Sequence, residues 1–199
     1  LTATGIENTG HLEPLVGIII ANISHLVSAL ILYSLGKTVV GDAKLSLIAA
    51  MLHIFTPAGL FVSVMYQESP CALLSFAGYL LYATSCREDG RPWLRDVLLV
   101  LAGSAFGLAT TFRSNGILNG LLFAGEFVLQ IPQLQHHPLD AIRRLVVLGI
   151  GGVCVASGWL VPQTIAFLEY CSGVAETDMR PWCSKFPPSI YTFVQHHYW

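Results

Sequence analysis

Apolar and polar positions alternate along this chain in long blocks, giving six apolar runs at about 15–35, 45–66, 70–86, 96–112, 117–131 and 145–168. A helix rises about 1.5 Å per residue, so roughly 20 residues cross a hydrocarbon core. The first, second and sixth runs reach that length, and the third and fourth stand at its short limit. The fifth, about 15 residues, is too short to cross comfortably and is expected to be re-entrant or sunk inside the bundle. The pattern predicts an all-α polytopic membrane protein of about six transmembrane or re-entrant helices. Residues 1–199 read as a single membrane domain, with a helical bundle over 15–168 and a loop carrying an interfacial helix over 169–199.

Local chemistry marks the expected ends and bends. Ser69-Pro70 has the form of an N-cap followed by proline at the first helical position. Asn115-Gly116 suits a left-handed residue that ends a helix after Arg113. Pro57 removes a hydrogen bond to the His53 carbonyl and is expected to kink the second helix, as Pro162 does to Gly158 in the sixth. Asn22, His25 and Ser28 recur on one face of the first run. Asn22, His25 and His53 are expected to hydrogen-bond between helices rather than to catalyse. Glu126 lies within the fifth run, and intramembrane carboxylates usually have partners.

Composition agrees with the pattern. The chain has 199 residues, 54% of them hydrophobic and 11% charged, with mean hydropathy +0.63, against about 25% charged in an average soluble domain. A net charge of −2 gives a nucleic-acid partner no electrostatic support. With no initiating Met and an end at Trp199, the sequence reads as an internal fragment of something longer.

Loop charge orients the helices. Lys37, Lys44, Arg87, Arg91, Arg95, Arg143 and Arg144 fall in the odd-numbered loops. Only Arg113, Arg180 and Lys185 fall in the even-numbered loops and the tail. Positive charge favours the cytosolic side, so Glu68, Arg113 and the tail from Tyr170 are expected together on the opposite, non-cytosolic face. Cys171 and Cys183 share a polar loop there and could be joined in an oxidising compartment. The five cysteines include no CxxC pair, which argues against a structural zinc site, and His136-His137 need no metal to explain them.

The candidate chemistry gathers on that face. A charge wedged between membrane-length runs costs about 2.5–3.5 kcal/mol at mid-helix unless it reaches water or a partner. Arg113 therefore marks a surface or binds something, and its planar fork matches phosphate oxygens. Asn115 and Asn119, four apart, would present amides beside it on an α-helix. Glu68 is either a solvated helix-end carboxylate or a residue facing a lipid-phosphate or sugar. In the tail, Tyr191, Gln195 and Tyr198 share a helical face. That face belongs either to an aromatic interfacial helix or to one that stacks on a sugar.

Four segments carry a resemblance. Ala109-Thr110-Thr111-Phe112-Arg113-Ser114-Asn115-Gly116 resembles the A-T-x-x-R-S-N-G segment of the GPI mannosyltransferase 2 (PIG-V type) family. Phe55-Thr56-Pro57-Ala58-Gly59-Leu60-Phe61 with Tyr66-Gln67-Glu68-Ser69 is similar to its P-A-x-x-F and Y-S-E-S pair, with Gln67 in place of Ser. Arg180-Pro181-Trp182-Cys183 resembles its W-C motif, and Gln195-His196-His197-Tyr198-Trp199 the start of its Q-x-x-Y-W-x-V-G-F. The resemblance implies part of a GT-C type glycosyltransferase fold. It also implies transfer of mannose from dolichyl-phosphate-mannose to the first mannose of a GPI anchor, α-1,6 with inversion, on the lumenal face of the endoplasmic reticulum.

On this reading Glu68, Arg113, Ser114, Asn115, Gln195, Tyr198 and Trp199 are substrate-binding, with neither metal nor cofactor. The partners implied are the dolichyl donor, the GPI-lipid acceptor, the membrane and an accessory membrane subunit. The catalytic residue is unknown from this sequence. In this superfamily an acidic base sits in the first lumenal loop, no residue here matches it, and the fragment alone is expected to be inactive. A transporter or flippase and a non-catalytic membrane subunit are the alternatives.

Overall fold

The computed structural model describes residues 12–57, 64, 66–88, 90–173 and 180–183. The expected helix over 187–199, with Gln195, Tyr198 and Trp199, lies outside the described residues. Every regular element among them is helical: α1 (Leu12–Val39), α2 (Ala43–Ile54), α3 (Glu68–Ser85), α4 (Pro92–Phe112), a 3₁₀ helix (Ser114–Gly120), α5 (Leu121–Gln130), a second 3₁₀ helix (Ile131–Gln135) and α6 (Pro138–Tyr170). Four stretches, Leu12–Val39, Pro92–Phe112, Ser114–Gln135 and Pro138–Tyr170, are long and apolar enough to cross a membrane. The chain is a multi-pass, all-helical membrane protein.

Two expectations about the elements are corrected. The second run is not a proline-kinked helix over its whole length, because α2 ends at Ile54 and Pro57 lies beyond it. Proline disfavours helical backbone at the residue before it and donates no hydrogen bond, so here it follows a stop instead of bending a continuing helix. The fifth run is neither short nor sunk. Its flanking 3₁₀ helices extend it to 22 residues, and Leu121, Val128 and Leu129 turn outward to where lipid would lie. Ser114 and Asn115 masked the extension at its start, since polar residues in tight turns break the apolar pattern by which the run was bounded. Pro162 does lie inside α6, which continues through it.

Packing runs from α2 to α1, α3, α4 and α6, with α5 laid against α6. Asp42 caps α2, its carboxylate accepting from the Lys44 and Leu45 N–H groups at 2.7 and 3.3 Å. Leu99, Ala102 and Phe106 of α4, Phe123 of α5, and Leu148 and Val155 of α6 form the core. Tyr79, Phe106, Phe123 and Tyr82 continue it as an edge-to-face chain with centroids 5.0, 6.2 and 5.8 Å apart.

The α4–α6 contact is closer than side chains would allow. A Cβ on Gly103 would stand 2.6 Å from the Gly151 Cα, and Gly107 meets the backbone of Cys154. In lipid, where burying apolar surface between helices gains little, such small-residue seams supply association through close van der Waals packing.

Paired positions give directions. Asp96 meets Arg143, Gly103 meets Gly151 and Gly107 meets Gly158, so α4 and α6 run parallel. Glu68 meets Arg113 and Gly78 meets Phe106, so α3 runs against α4. Glu68, Arg113 and the end of α6 therefore share one end of the bundle, with Arg95, Asp96, Arg143 and Arg144 at the other.

Candidate functional site

At the first of these ends the Arg113 guanidinium is ion-paired with the Glu68 carboxylate, their side chains 40% and 30% exposed. Each partner is placed by a helix terminus. Helix α3 opens at Glu68 after Gln67, a little before the Ser69-Pro70 start read from the sequence. Proline is accommodated in the first turn because its missing N–H has no intrahelical partner there anyway. The carboxylate also favours the positive N-terminal end of α3. Helix α4 ends at Phe112, and Arg113 leaves it in extended conformation, φ −142° and ψ 128°, its N–H still bonded to the Ala109 carbonyl. The ion pair thus bridges α3 to the turn after α4 while its outer faces stay open.

That turn differs from expectation. Positive φ occurs, among the described residues, only at Gly41 and Gly173, so Asn115-Gly116 is not a left-handed helix stop. Gly116 instead bonds its N–H to the Arg113 carbonyl at 2.8 Å. A Cβ there would lie 2.7 Å from the Thr110 Cα. Glycine is needed for close approach, because the 3₁₀ helix folds directly back on the last turn of α4.

The tighter winding also separates the two amides. At about 3 residues per turn, positions four apart no longer share a face. Asn115 is exposed, whereas Asn119 turns inward, accepting from the Tyr79 hydroxyl at 2.6 Å and donating to the Ser75 Oγ at 3.2 Å. Ser114 lines a small cavity of about 30 Å³ with Thr110, Thr111, Trp159, Pro162 and Gln163. That is room for about one water.

Cys171 and Cys183 are joined, with Cα atoms 5.6 Å apart. The bond ties the Arg180–Cys183 segment, with a buried Trp182, to the end of α6 on the Arg113 side. The structure therefore brings Glu68, Arg113, Ser114 and Asn115 to one end of the bundle.

Two polar groupings were only partly foreseen. Ser28 and His53 share a hydrogen bond of 2.8 Å between α1 and α2, and the His25 ring packs on His53 at 4.9 Å. Asn22, expected to bond between helices, donates its amide to the Ile18 carbonyl of its own helix. Glu126 accepts from the Tyr82 hydroxyl at 2.5 Å and from the Arg144 Nε at 2.7 Å. Opposite charges in facing apolar runs were the available signal for that pair. Their contact across α5 and α6 was hidden because Arg144 read as a loop residue. At the same end, Arg143 donates to Asp96 at 2.6 Å, and a cavity of about 410 Å³ opens beside Arg144. Among the described residues, no group of three or more His, Cys, Asp or Glu side chains is arranged to hold a metal ion.

Comparison with known proteins gives a consistent set of relatives. The family described as Mannosyltransferase (PIG-V) matches residues 10–199. A Chaetomium globosum protein named GPI mannosyltransferase 2 is 50% identical over 94% of this chain and 44% of its own length. Proteins of the same name from Gibberella zeae and Aspergillus oryzae are 44% and 39% identical, over 98% and 99% of this chain and 46% and 47% of theirs. The chain thus spans about half the length of the curated relatives it matches. No solved structure matches. A family match across nearly the whole chain, on a bundle whose quoted Arg113 segment forms an exposed ion-paired turn, settles the assignment: the chain belongs to the PIG-V mannosyltransferase family.

Proposed function

We propose that the whole protein transfers mannose from dolichyl-phosphate-mannose onto the first mannose of a growing GPI anchor, forming an α-1,6 linkage with inversion on the lumenal face of the endoplasmic reticulum. The observation that carries this reading is the half-exposed Glu68–Arg113 pair, set at a helix end within the segments that resemble the family. The names of the relatives support the same reaction, and the Lys and Arg distribution supports a lumenal site.

The chemistry follows from the leaving group. Dolichyl phosphate departs as an anion, and a fixed cation aimed at the bridging oxygen lowers the barrier without reorganising at the moment of reaction. Arg113 is that cation, with its fork open to solvent beyond Glu68. Glu68 holds the guanidinium in place, so the base that deprotonates the acceptor hydroxyl is a different group. Ser114 and Asn115 offer hydrogen bonds beside the phosphate, and Gln195, Tyr198 and Trp199 are the residues assigned to the sugar from the family resemblance. Residues 1–199 act as one membrane domain, alongside an accessory membrane subunit. Membership of a mannosyltransferase family favours this reading over a transporter.

Complementation tests it. Full-length protein and its Arg113→Ala variant are expressed in cells lacking the second GPI mannosyltransferase, and GPI intermediates are read by mass spectrometry. Wild type is expected to clear the single-mannose intermediate and the variant to accumulate it at equal expression. Clearance by both would reduce Arg113 to an anchor, and accumulation with both would remove the transferase reading.

A further inference from the structure

The cavity at the opposite end of the bundle is unused by the transfer reaction, and its lining is unusual for a membrane protein. Arg144 is 8% exposed, so it is almost wholly enclosed. Its Nε and Nη2 are taken by Glu126, while Nη1 has no partner. Glu126 is itself fully engaged, its second oxygen held by Tyr82. Arg95 lines the same cavity. Its buried Nε has no hydrogen bond and lies 3.9 Å from Asp96 Oδ1, which also has none, while Arg143 holds the other oxygen of that carboxylate. Each guanidinium therefore keeps one buried nitrogen without a hydrogen bond, in a lining that also holds the exposed Asp140, His137 and the amides of Gln130 and Gln133.

We propose that this cavity seats the headgroup of a zwitterionic phospholipid, with its phosphate on Arg144 and Arg95 and a primary ammonium on Asp140. The volume, about 410 Å³, lies within the roughly 300–1,000 Å³ of small-ligand sites. Balanced charge selects a headgroup carrying both signs over a purely anionic one. Choline is disfavoured by the walls: quaternary ammonium recognition relies on aromatic faces, and no Trp, Tyr or Phe is among the described residues that line the cavity.

Depth and surroundings select a lipid over a soluble phosphate. Arg144 lies six residues into α6, about 9 Å along the helix from its start. Leu129 and Leu139, sequence neighbours of the lining residues Gln130 and Asp140, are 72% and 83% exposed, so apolar surface is present at this end of the bundle. The side with most basic loops is the cytosolic one, so the lipid belongs to the cytosolic leaflet. The site is independent of the mannosyl transfer, and its test reads bound lipid rather than activity.

Full-length protein is purified in mild detergent and analysed by native mass spectrometry with added phosphatidylethanolamine, phosphatidylcholine, a diacyl glycolipid lacking phosphate, or free phosphoethanolamine. The expected result is selective retention of phosphatidylethanolamine. It should weaken about tenfold or more in Arg95→Gln with Asp140→Asn, since each removes a charge-assisted hydrogen bond. These two side chains can be changed without stranding Glu126. A second variant, Arg144→Gln with Glu126→Gln, removes the buried guanidinium and its counter-charge together and should bind as weakly. Equal retention of all lipids, unchanged retention in both variants, or water alone in the cavity would overturn the proposal. Free phosphoethanolamine binding as tightly as the lipid would overturn its assignment to a lipid.

Discussion

At Arg113 the side chain has two neighbours to satisfy, the Glu68 carboxylate and whatever arrives from solvent. Because both partners are well exposed, the pair adds only about 0–1 kcal/mol to stability; its geometry matters more than its energy. Arg113→Ala should therefore leave folding nearly unchanged while lowering turnover by about 10²–10³-fold, the usual cost of losing one transition-state donor. Arg113→Lys keeps the charge but not the planar fork, so it should recover only part of that loss. Glu68→Gln should act through the guanidinium, lowering turnover less than Arg113→Ala. In vitro mannosyl transfer with dolichyl-phosphate-mannose, alongside thermal melts, checks all three. A large fall in melting temperature with Arg113→Ala would mean a structural role instead. Arg113 and Glu68 were legible in the sequence because a lone charge between apolar runs stands out at any register. Asn119 was misplaced, because amide direction depends on whether the turn winds as α or 3₁₀, and the sequence carries no clear sign of which.

The glycines decide how elements meet. Gly116→Ala would drive a methyl into the backbone of Thr110, with an expected cost of about 1–3 kcal/mol and a displaced Arg113. Its signature would be a loss of stability and activity together, unlike the activity-only effect of Arg113→Ala. Asn119→Leu would leave the Tyr79 hydroxyl and Ser75 without their amide, costing about 1–3 kcal/mol and loosening the 3₁₀ helix from α3. Between α5 and α6, Glu126→Leu alone should cost about 3–5 kcal/mol by stranding Arg144, whereas Glu126→Leu with Arg144→Met should recover most of it. Unfolding in detergent across the four species of that cycle measures the coupling. Equal stability of single and double variants would show that the pair is solvated. Among the described residues the helices follow the order of the apolar runs. The early end of α2 and the extension of the fifth run did not, because hydropathy records burial in lipid and is silent about where a backbone stops.

For the whole molecule, the pairing directions put Arg95, Arg143 and Arg144 at one end and the disulfide at the other. Charge bias alone had given the same grouping, and the Gly103–Gly151 and Gly107–Gly158 contacts give the parallel run of α4 and α6 without any charge. The expected outcome is sided. An N-glycosylation acceptor inserted beside Gly173 should be modified in cells, and one inserted beside Gly90 should not; the reverse pattern would invert the orientation. Cys171→Ser should free the Arg180–Cys183 segment from α6, detectable as new protease sensitivity there with the helical spans intact.

The glycine seam between α4 and α6 has a consequence for chain length rather than for side-chain identity. From Gly103 to Arg113 the helix advances about 15 Å at 1.5 Å per residue, and the seam pins one end of that interval. One residue inserted between Gly107 and Phe112 would turn everything beyond it by about 100°, carrying Arg113 away from Glu68 although no contacting residue had changed. The stretch acts as a ruler, and it should tolerate substitutions at its lipid-facing positions such as Leu108 far better than any change in the number of residues it contains.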